Sequence, residues 1–401
     1  MRIAVAGAGV AGLAVAAFLA RSGKEVVVYD KLSEPAPVGS GLIIQPTGQA
    51  VLSALDLIAP LRRRGARIDR LFGRTNGTGR IVLDVRYAPL GEEAHGIAVH
   101  RATLFDLLFG EAVEAGAQFE RRRDVAAVDA GAEGSALVFA DGRRSPRFDL
   151  VIDAMGVRSP LIERGDAFLD YGAIWTNLPW PENGSFTDNV LEQRYEKASR
   201  MAGVLPIGVM PGSDKPVTAF FWSLRQDAFD AWRQRGLSPW KDDVLRFWPQ
   251  TAPFIEAITH EEQLVFARYA HHTLKHPVRK GLLHIGDSWR AASPQLGQGA
   301  NMALLDAAAL ARALERNGEL DEALAAFVSM RRFHVRLYQL ASWLFTPVYQ
   351  SDSRVLPWLR DVVAAPLSRM PPAPYLLASM VAGTLGGPLQ AYQRGLRLEG
   401  G

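Results

Sequence analysis

The chain has 401 residues, 48% of them hydrophobic and 22% charged, with a formal net charge of +3 and no cysteine. That length exceeds one ordinary core and predicts two interleaved domains, while the near balance of charge argues against a dedicated nucleic-acid protein. Lack of cysteine excludes disulfides, zinc–thiolate sites and thiol catalysis, fits a cytoplasmic location, and no apolar run reaches the roughly 18 residues of a membrane span.

The chain opens directly on an apolar strand, Ile3 to Ala6, so no leader peptide is expected. The strand runs into Gly7-Ala8-Gly9-Val10-Ala11-Gly12, then an Ala/Leu-rich helical run, then a second strand, Glu25 to Tyr29, ending on Asp30 and Lys31. This is the order of a dinucleotide site. Gly7 permits the tight turn, Gly9 lets backbone approach a pyrophosphate, and Gly12 lets the helix pack closely. The helix start offers free N–H groups to phosphates, and Asp30 can accept from a ribose diol. A helix is expected over Gly48 to Leu57, ending before Pro60, and a short strand over Ile81 to Val85. His100-Arg101 opens a helix, Ala102 to Ala115. Strands follow at Val125 to Val128 and Ala136 to Ala140, with Asp141-Gly142 as a hairpin turn. Leu150 to Ala154 returns to the first sheet.

From about 169 to 271 the texture changes to short aromatic-rich strands: Gly172 to Thr176, Met201 to Ile207, Val217 to Ser223 and Leu264 to Tyr269. Trp175, Phe221 and Trp222 are candidates to line a pocket, although aromatics on such strands are more often core. Adjacent His271 and His272 point to opposite faces, so a metal site is not expected. Leu282 to Ile285 is another short strand, with Gly286-Asp287 at its C-terminal end, where open α/β sheets bind ligands. Pro294 to Gly299 is a glycine-punctuated loop, and Ala300 to Glu315 an Ala/Leu-rich helix whose first turn points amide donors at the loop. The tail, 346–401, is expected to form helices packed on the body, with weak membrane or partner docking as a lesser expectation.

Three separated motifs (the Gly7 turn, Phe148 to Pro160, and Leu283 to Ala303), with His100-Arg101 between the first two, resemble the FAD-dependent monooxygenases of the aromatic-hydroxylase, p-hydroxybenzoate hydroxylase-like superfamily. The resemblance implies an α/β fold: a Rossmann-like FAD-binding domain from 1–70, 96–168 and 272–345, an inserted antiparallel β-sheet substrate domain from 71–95 and 169–271, and a helical segment over 346–401. It implies non-covalent FAD, NAD(P)H as transient reductant, and O2 passed through a flavin C4a-hydroperoxide to a small, electron-rich, hydrophobic substrate. Cofactor contacts carried over are Gly7, Gly9, Val10, Ala11, Gly12, Asp30, Lys31, Gly41 in the loop Val38-Gly39-Ser40-Gly41, Arg101, Val125, Gly286, Asp287, Pro294, Gly297, Gly299, Ala300 and Asn301. Arg101 and Asp287 fall by the ribityl–phosphate region, and Pro294 by the flavin ring. No protein acid or base is implied as catalytic.

One position departs from the family. Its middle motif carries Asp-Gly where this chain has Met155-Gly156, which bears on the reductant contact more than on FAD. Asp153, two residues earlier, is open to two readings: a strand-end residue or a replacement. Competing activities are an FAD-dependent isoprenoid reductase or desaturase, a halogenase, and a non-catalytic flavoprotein. The halogenase Trp-x-Trp-x-Ile-Pro segment is not matched by Trp175-Thr176-Asn177-Leu178-Pro179-Trp180.

Overall fold

The first strand, Arg2–Ala6, is buried from Ile3 onward and sits inside a six-stranded sheet. Glu25–Tyr29 and Leu150–Asp153 flank it in parallel, with Gln118–Glu120 and Leu282–His284 parallel beyond them and Val278–Arg279 antiparallel at one edge. Strands covered on both faces need continuous rather than alternating apolar residues, and Val26, Val27 and Val28 are all buried. Helix Val10–Arg21 covers one face and packs between Arg101–Glu114 and Gly299–Arg316. On the other face, Leu137 and Phe139 of the hairpin Val125–Gly131/Gly134–Phe139, with Phe148, pack on Ala4, Val27 and Tyr29. This computed structural model describes residues 1–33, 39–163, 167–181 and 184–387. Expectations for Val38, 164–166 and the tail beyond 387 lie outside the described residues.

The aromatic-rich segment builds a seven-stranded sheet in the order Val265–Ala270, Phe168–Pro179, Pro216–Arg225, Arg200–Val209, Val190–Glu196, Arg70–Thr75, Ile81–Arg86. The resemblance implies that this sheet is antiparallel. It is mixed, because Val190–Glu196 runs parallel to Arg70–Thr75 where two distant stretches of chain meet. Helices Phe229–Arg235, Leu237–Phe247 and Ala252–Glu256 cover its outer face, where Ile174, Phe220 and Trp222 pack with Trp240, Phe247 and Phe254. The inner face carries Leu205, Ile207, Ala219 and Phe221, which pack with Ile43 and Ala98. Those two belong to a three-stranded sheet, Gly41–Ile44, Gly96–His100 and Ala66–Ile68, that joins the two larger ones.

Local departures have simple causes. The helix expected over Gly48 to Leu57 is Pro46–Ser53, followed by Ile58–Arg64. Pro60 sits in the first turn of the latter, where its missing N–H is not needed. The hairpin turns between Gly131 and Gly134, whereas Asp141-Gly142 returns the chain to a single bridge between Val138 and Arg144. Helix Leu320–Tyr349 runs unbroken through the boundary expected at 345.

Candidate functional site

The site lies along the C-terminal ends of the parallel strands. Gly7 has φ +101, and a Cβ there would meet Ala154 O at 2.8 Å; a Cβ on Gly12 would lie 1.9 Å from Gly7 O. Gly9 is the opposite case: among the described residues nothing lies within 4 Å of where its Cβ would stand. Two glycines are therefore demanded by protein packing, and the third leaves room beside the chain. Helix Val10–Arg21 has no side-chain cap and no acidic residue in its first turn, so its leading N–H groups face that room. Asp30 accepts from Ala8 N–H at 2.7 Å and from Leu32 N–H at 2.9 Å, which fixes its carboxylate beside the turn with lone pairs to spare. Lys31 is exposed next to it, whereas the Val125 side chain is buried in the core with Tyr29.

Gly286 brings the third motif against the first: its φ is +61, and a Cβ there would lie 2.9 Å from Ala11 Cβ. Asp287 is open to solvent yet walled by enough protein that burial raises its carboxyl above the usual range, with Arg290 and then Arg101 pulling it back. Arg101 is exposed at the start of its helix, with its side chain over Gly39, and its charge reaches the Asp287 carboxyl. Behind them runs a network that sequence reasoning missed. Asp306, fully buried, accepts from Gly286 N–H at 3.0 Å and pairs with both Arg290 and Arg331. Arg331 contacts His334 Nδ1 at 3.2 Å, and His334 Nε2 lies 3.0 Å from Gly383 O. Burial, then Arg331, pushes the imidazole down to about 3. The available signal was Asp306 itself, a lone acid within an Ala/Leu run.

Pro294–Leu296 forms a single turn, with Pro294 exposed and Leu296 buried, closed by Gly297 at φ +61, and among the described residues Gly299 has open space beside it. Asn301 is spent internally: its Oδ1 accepts from Gln45 N–H, and its Nδ2 donates to Ile43 O and Gly297 O. It ties the loop to the strand Gly41–Ile44 while its neighbour Ala300 is half-buried. Gly41 in turn lets that strand approach Ile207, which a Cβ would meet at 2.2 Å. The long helix braces the loop, because Ser293 Oγ lies 2.5 Å from Thr346 Oγ1 and Gln295 donates to Gln350, which donates to Gly172 O.

The middle motif resolves the question of Asp153. That carboxylate accepts from Met155 N–H (3.0 Å) and Ser159 Oγ (2.6 Å) and meets His284 Nδ1 at 2.8 Å, all out of solvent. It is a strand-end residue locking two strands together, with nothing left to replace an exposed acid. Met155 is half-buried against the adjoining core.

The inner face of the seven-stranded sheet presents Trp175 against Phe221, their rings tilted by 34° with centroids 4.6 Å apart. Trp175 Nε1–H donates to Tyr269 at 3.2 Å, and burial raises that phenol well above its ordinary value. Asn177 on the same face sits 3.0 Å from His100 Nε2, while His100 Nδ1 accepts from Ala102 N–H. Burial lowers the His100 pKa, which favours the neutral ring. Trp222 does not join them. It pairs with Ile174, not Trp175, so the strand's alternation turns it to the outer face against Phe247.

A family described as FAD binding domain matches residues 1–332. The chain is 28% identical over 369 residues to the 3-amino-4-hydroxybenzoate 2-monooxygenase of Streptomyces cremeus, covering 86% of this chain and 88% of that one. It is 27% identical over 348 residues to the 6-hydroxynicotinate 3-monooxygenase of Bordetella bronchiseptica, covering 81% and 85%. Among solved structures, Klebsiella pneumoniae HpxO complexed with FAD and uric acid superposes with a TM-score of 0.76 at 18% identity, covering 95% of this chain and 97% of that one.

Proposed function

This chain belongs to the FAD binding domain family and is an FAD-dependent monooxygenase of the aromatic-hydroxylase type, and from that premise we propose that it oxygenates a hydrophobic, electron-rich small molecule, aromatic or polyketide- or terpenoid-like, with NAD(P)H as transient reductant. Bound FAD supplies the redox chemistry that reduces O2 and delivers one oxygen atom to the substrate. The chain's own residues bind, orient and exclude water. The open side of Gly9 and the uncapped helix start suit a pyrophosphate, and Asp30 suits a ribose diol. Arg101 and Asp287 are assigned to the ribityl–phosphate stretch of the cofactor. The loop from Pro294 to Gly299, at the start of helix Gly299–Arg316, would turn a positive dipole end toward a flavin ring held beside it and so favour its reduced, anionic form. The residues present suit the group: an exposed acid and an exposed arginine lie within electrostatic reach of each other, and among the described residues no side chain fills the space beside Gly9 or Gly299.

The observation that carries the substrate reading is the Trp175–Phe221 pair with the Tyr269 hydroxyl held against Trp175. Pockets for small molecules are mostly apolar with few, fixed polar groups, and here those groups are Tyr269 and Asn177. Both named relatives act on hydroxylated aromatic rings, by their names. The test is a panel of phenols, polycyclic aromatics and alkenes in NAD(P)H-oxidation assays under labelled O2. A substrate should speed NAD(P)H oxidation and emerge heavier by one oxygen from O2. A product that gains a hydrogen or halide instead, with no label, would contradict the proposal.

A further inference from the structure

Thirteen of the eighteen exposed large hydrophobic side chains among the described residues lie between Phe333 and Leu376. They are ordered. On helix Leu320–Tyr349, Phe333, Leu340 and Leu344 recur at helical spacing with Trp343 beside them. Over the helical turns from 355 to 367, Val355, Trp358, Val362 and Leu367 repeat the pattern. Single exposed apolar residues need no explanation, but two successive stripes with tryptophans 62% and 57% exposed do.

The charges on the same segment are one-sided. Arg332, Arg336, Arg354 and Arg369 are exposed, and the first three make no ion pair among the described residues. The only carboxylates between 333 and 376 are already engaged, Asp352 by Tyr171 and Arg225, and Asp361 by Arg360. A second copy meeting this face across a two-fold axis would set arginine against arginine with no free acid to answer it. An anionic surface with an apolar interior answers both features at once.

We propose that the helical face from 333 to 376 docks on an anionic phospholipid surface, its Trp, Leu and Val side chains entering the headgroup boundary and its arginines meeting lipid phosphates. It would lie on the membrane, since no described helix is long and apolar enough to cross one. Resting on the reading under Proposed function, docking gives a hydrophobic substrate a source. The segment that carries the face is bonded to the substrate sheet through Gln350–Gly172 and Arg369–Ile81, and to the loop before helix Gly299–Arg316 through Gln295–Gln350.

The test is sedimentation of the FAD-loaded full chain with phosphatidylcholine vesicles and with vesicles carrying about 30% phosphatidylglycerol, enough to give the surface a negative potential. It needs no turnover, so it stands or falls apart from the substrate assignment. The expected result is binding to anionic vesicles that falls at least about tenfold in Trp343→Ser/Trp358→Ser and severalfold in Arg332→Gln/Arg336→Gln/Arg354→Gln. Flavin content should stay at the wild-type level in both variants. Three results would each overturn the proposal. One is a protein that stays in the supernatant with every vesicle. Another is binding indifferent to lipid charge and to the arginines. The third is a concentration-dependent dimer abolished by the tryptophan substitutions, which would assign the face to a second copy.

Discussion

The two sheets of this molecule do different work and are built by different rules. Around the six-stranded sheet, the chain is constrained by backbone: Gly7, Gly12 and Gly286 each sit where a Cβ would strike another element within 3 Å. Around the seven-stranded sheet glycines are pinned too, Gly172 by Ala267 O at 2.3 Å and Gly208 by Arg64 O at 1.9 Å, but the two faces are set by side-chain packing, aromatic outside and mixed aromatic and polar inside. A site defined by backbone tolerates almost no substitution. A site defined by packing can change its ligand while its strands persist. That difference suits a cofactor site and a substrate site, respectively, and each substitution below should disturb one region and spare the other.

The largest effect is expected at Asp306. Asp306→Asn leaves Arg290 and Arg331 buried beside a neutral amide, and breaking such a network costs about 3–5 kcal/mol. Urea unfolding should show that loss together with weaker FAD retention, because Gly286 hangs on the same carboxylate. Gly12→Ala comes next. The Cβ would press on Gly7 O, and forced overpacking costs about 1–3 kcal/mol, whereas Gly9→Ala should leave unfolding unchanged and lower only FAD affinity. If both variants unfold alike, the two glycines do not have separate roles.

His334 adds a pH dependence. Its folded pKa, about 3, lies below the ordinary 6.5, so between those values the unfolded chain binds more protons. Stability therefore falls as pH drops through that window, by up to roughly 1.4 kcal/mol per unit. His334→Gln should flatten the slope of unfolding free energy between pH 6 and pH 4, about the range where one histidine titrates. An unchanged slope would assign the acid sensitivity elsewhere.

The smallest effect on binding is expected at Met155. Met155→Asp supplies the family's carboxylate at a half-buried position near the strand ends. It should change the rate of flavin reduction by NAD(P)H in stopped flow while FAD affinity stays put. An unaltered rate would remove Met155 from the reductant contact.

How far the sequence spoke follows the same division. The glycine turn, Asp30, Gly286 and Gly297 were legible because their backbone geometry leaves a residue signature in a few consecutive positions. Asp153 was ambiguous because its partners, Ser159 and His284, become neighbours only through strand pairing. Adjacent on one strand, Phe221 and Trp222 must face opposite ways; which of the two joins Trp175 was not legible, because the pairing register is set by a strand nearly fifty residues away. The parallel join of Val190–Glu196 to Arg70–Thr75 left no local mark at all, since nothing in either segment specifies the direction of its partner. Asp306 was visible as an oddity, but its two arginines lie 16 and 25 residues away along the chain.

The division of labour is tested most directly by titrating FAD into the apoproteins of the wild type, Asp287→Ala and Trp175→Ala, followed by flavin fluorescence. Losing a charge-assisted contact costs roughly 1.5–3 kcal/mol, about tenfold to a hundredfold in affinity. The expected result is that loss for Asp287→Ala and wild-type affinity for Trp175→Ala. Equal affinities in all three proteins, or a loss confined to Trp175→Ala, would contradict the assignment of cofactor and substrate to the two sheets.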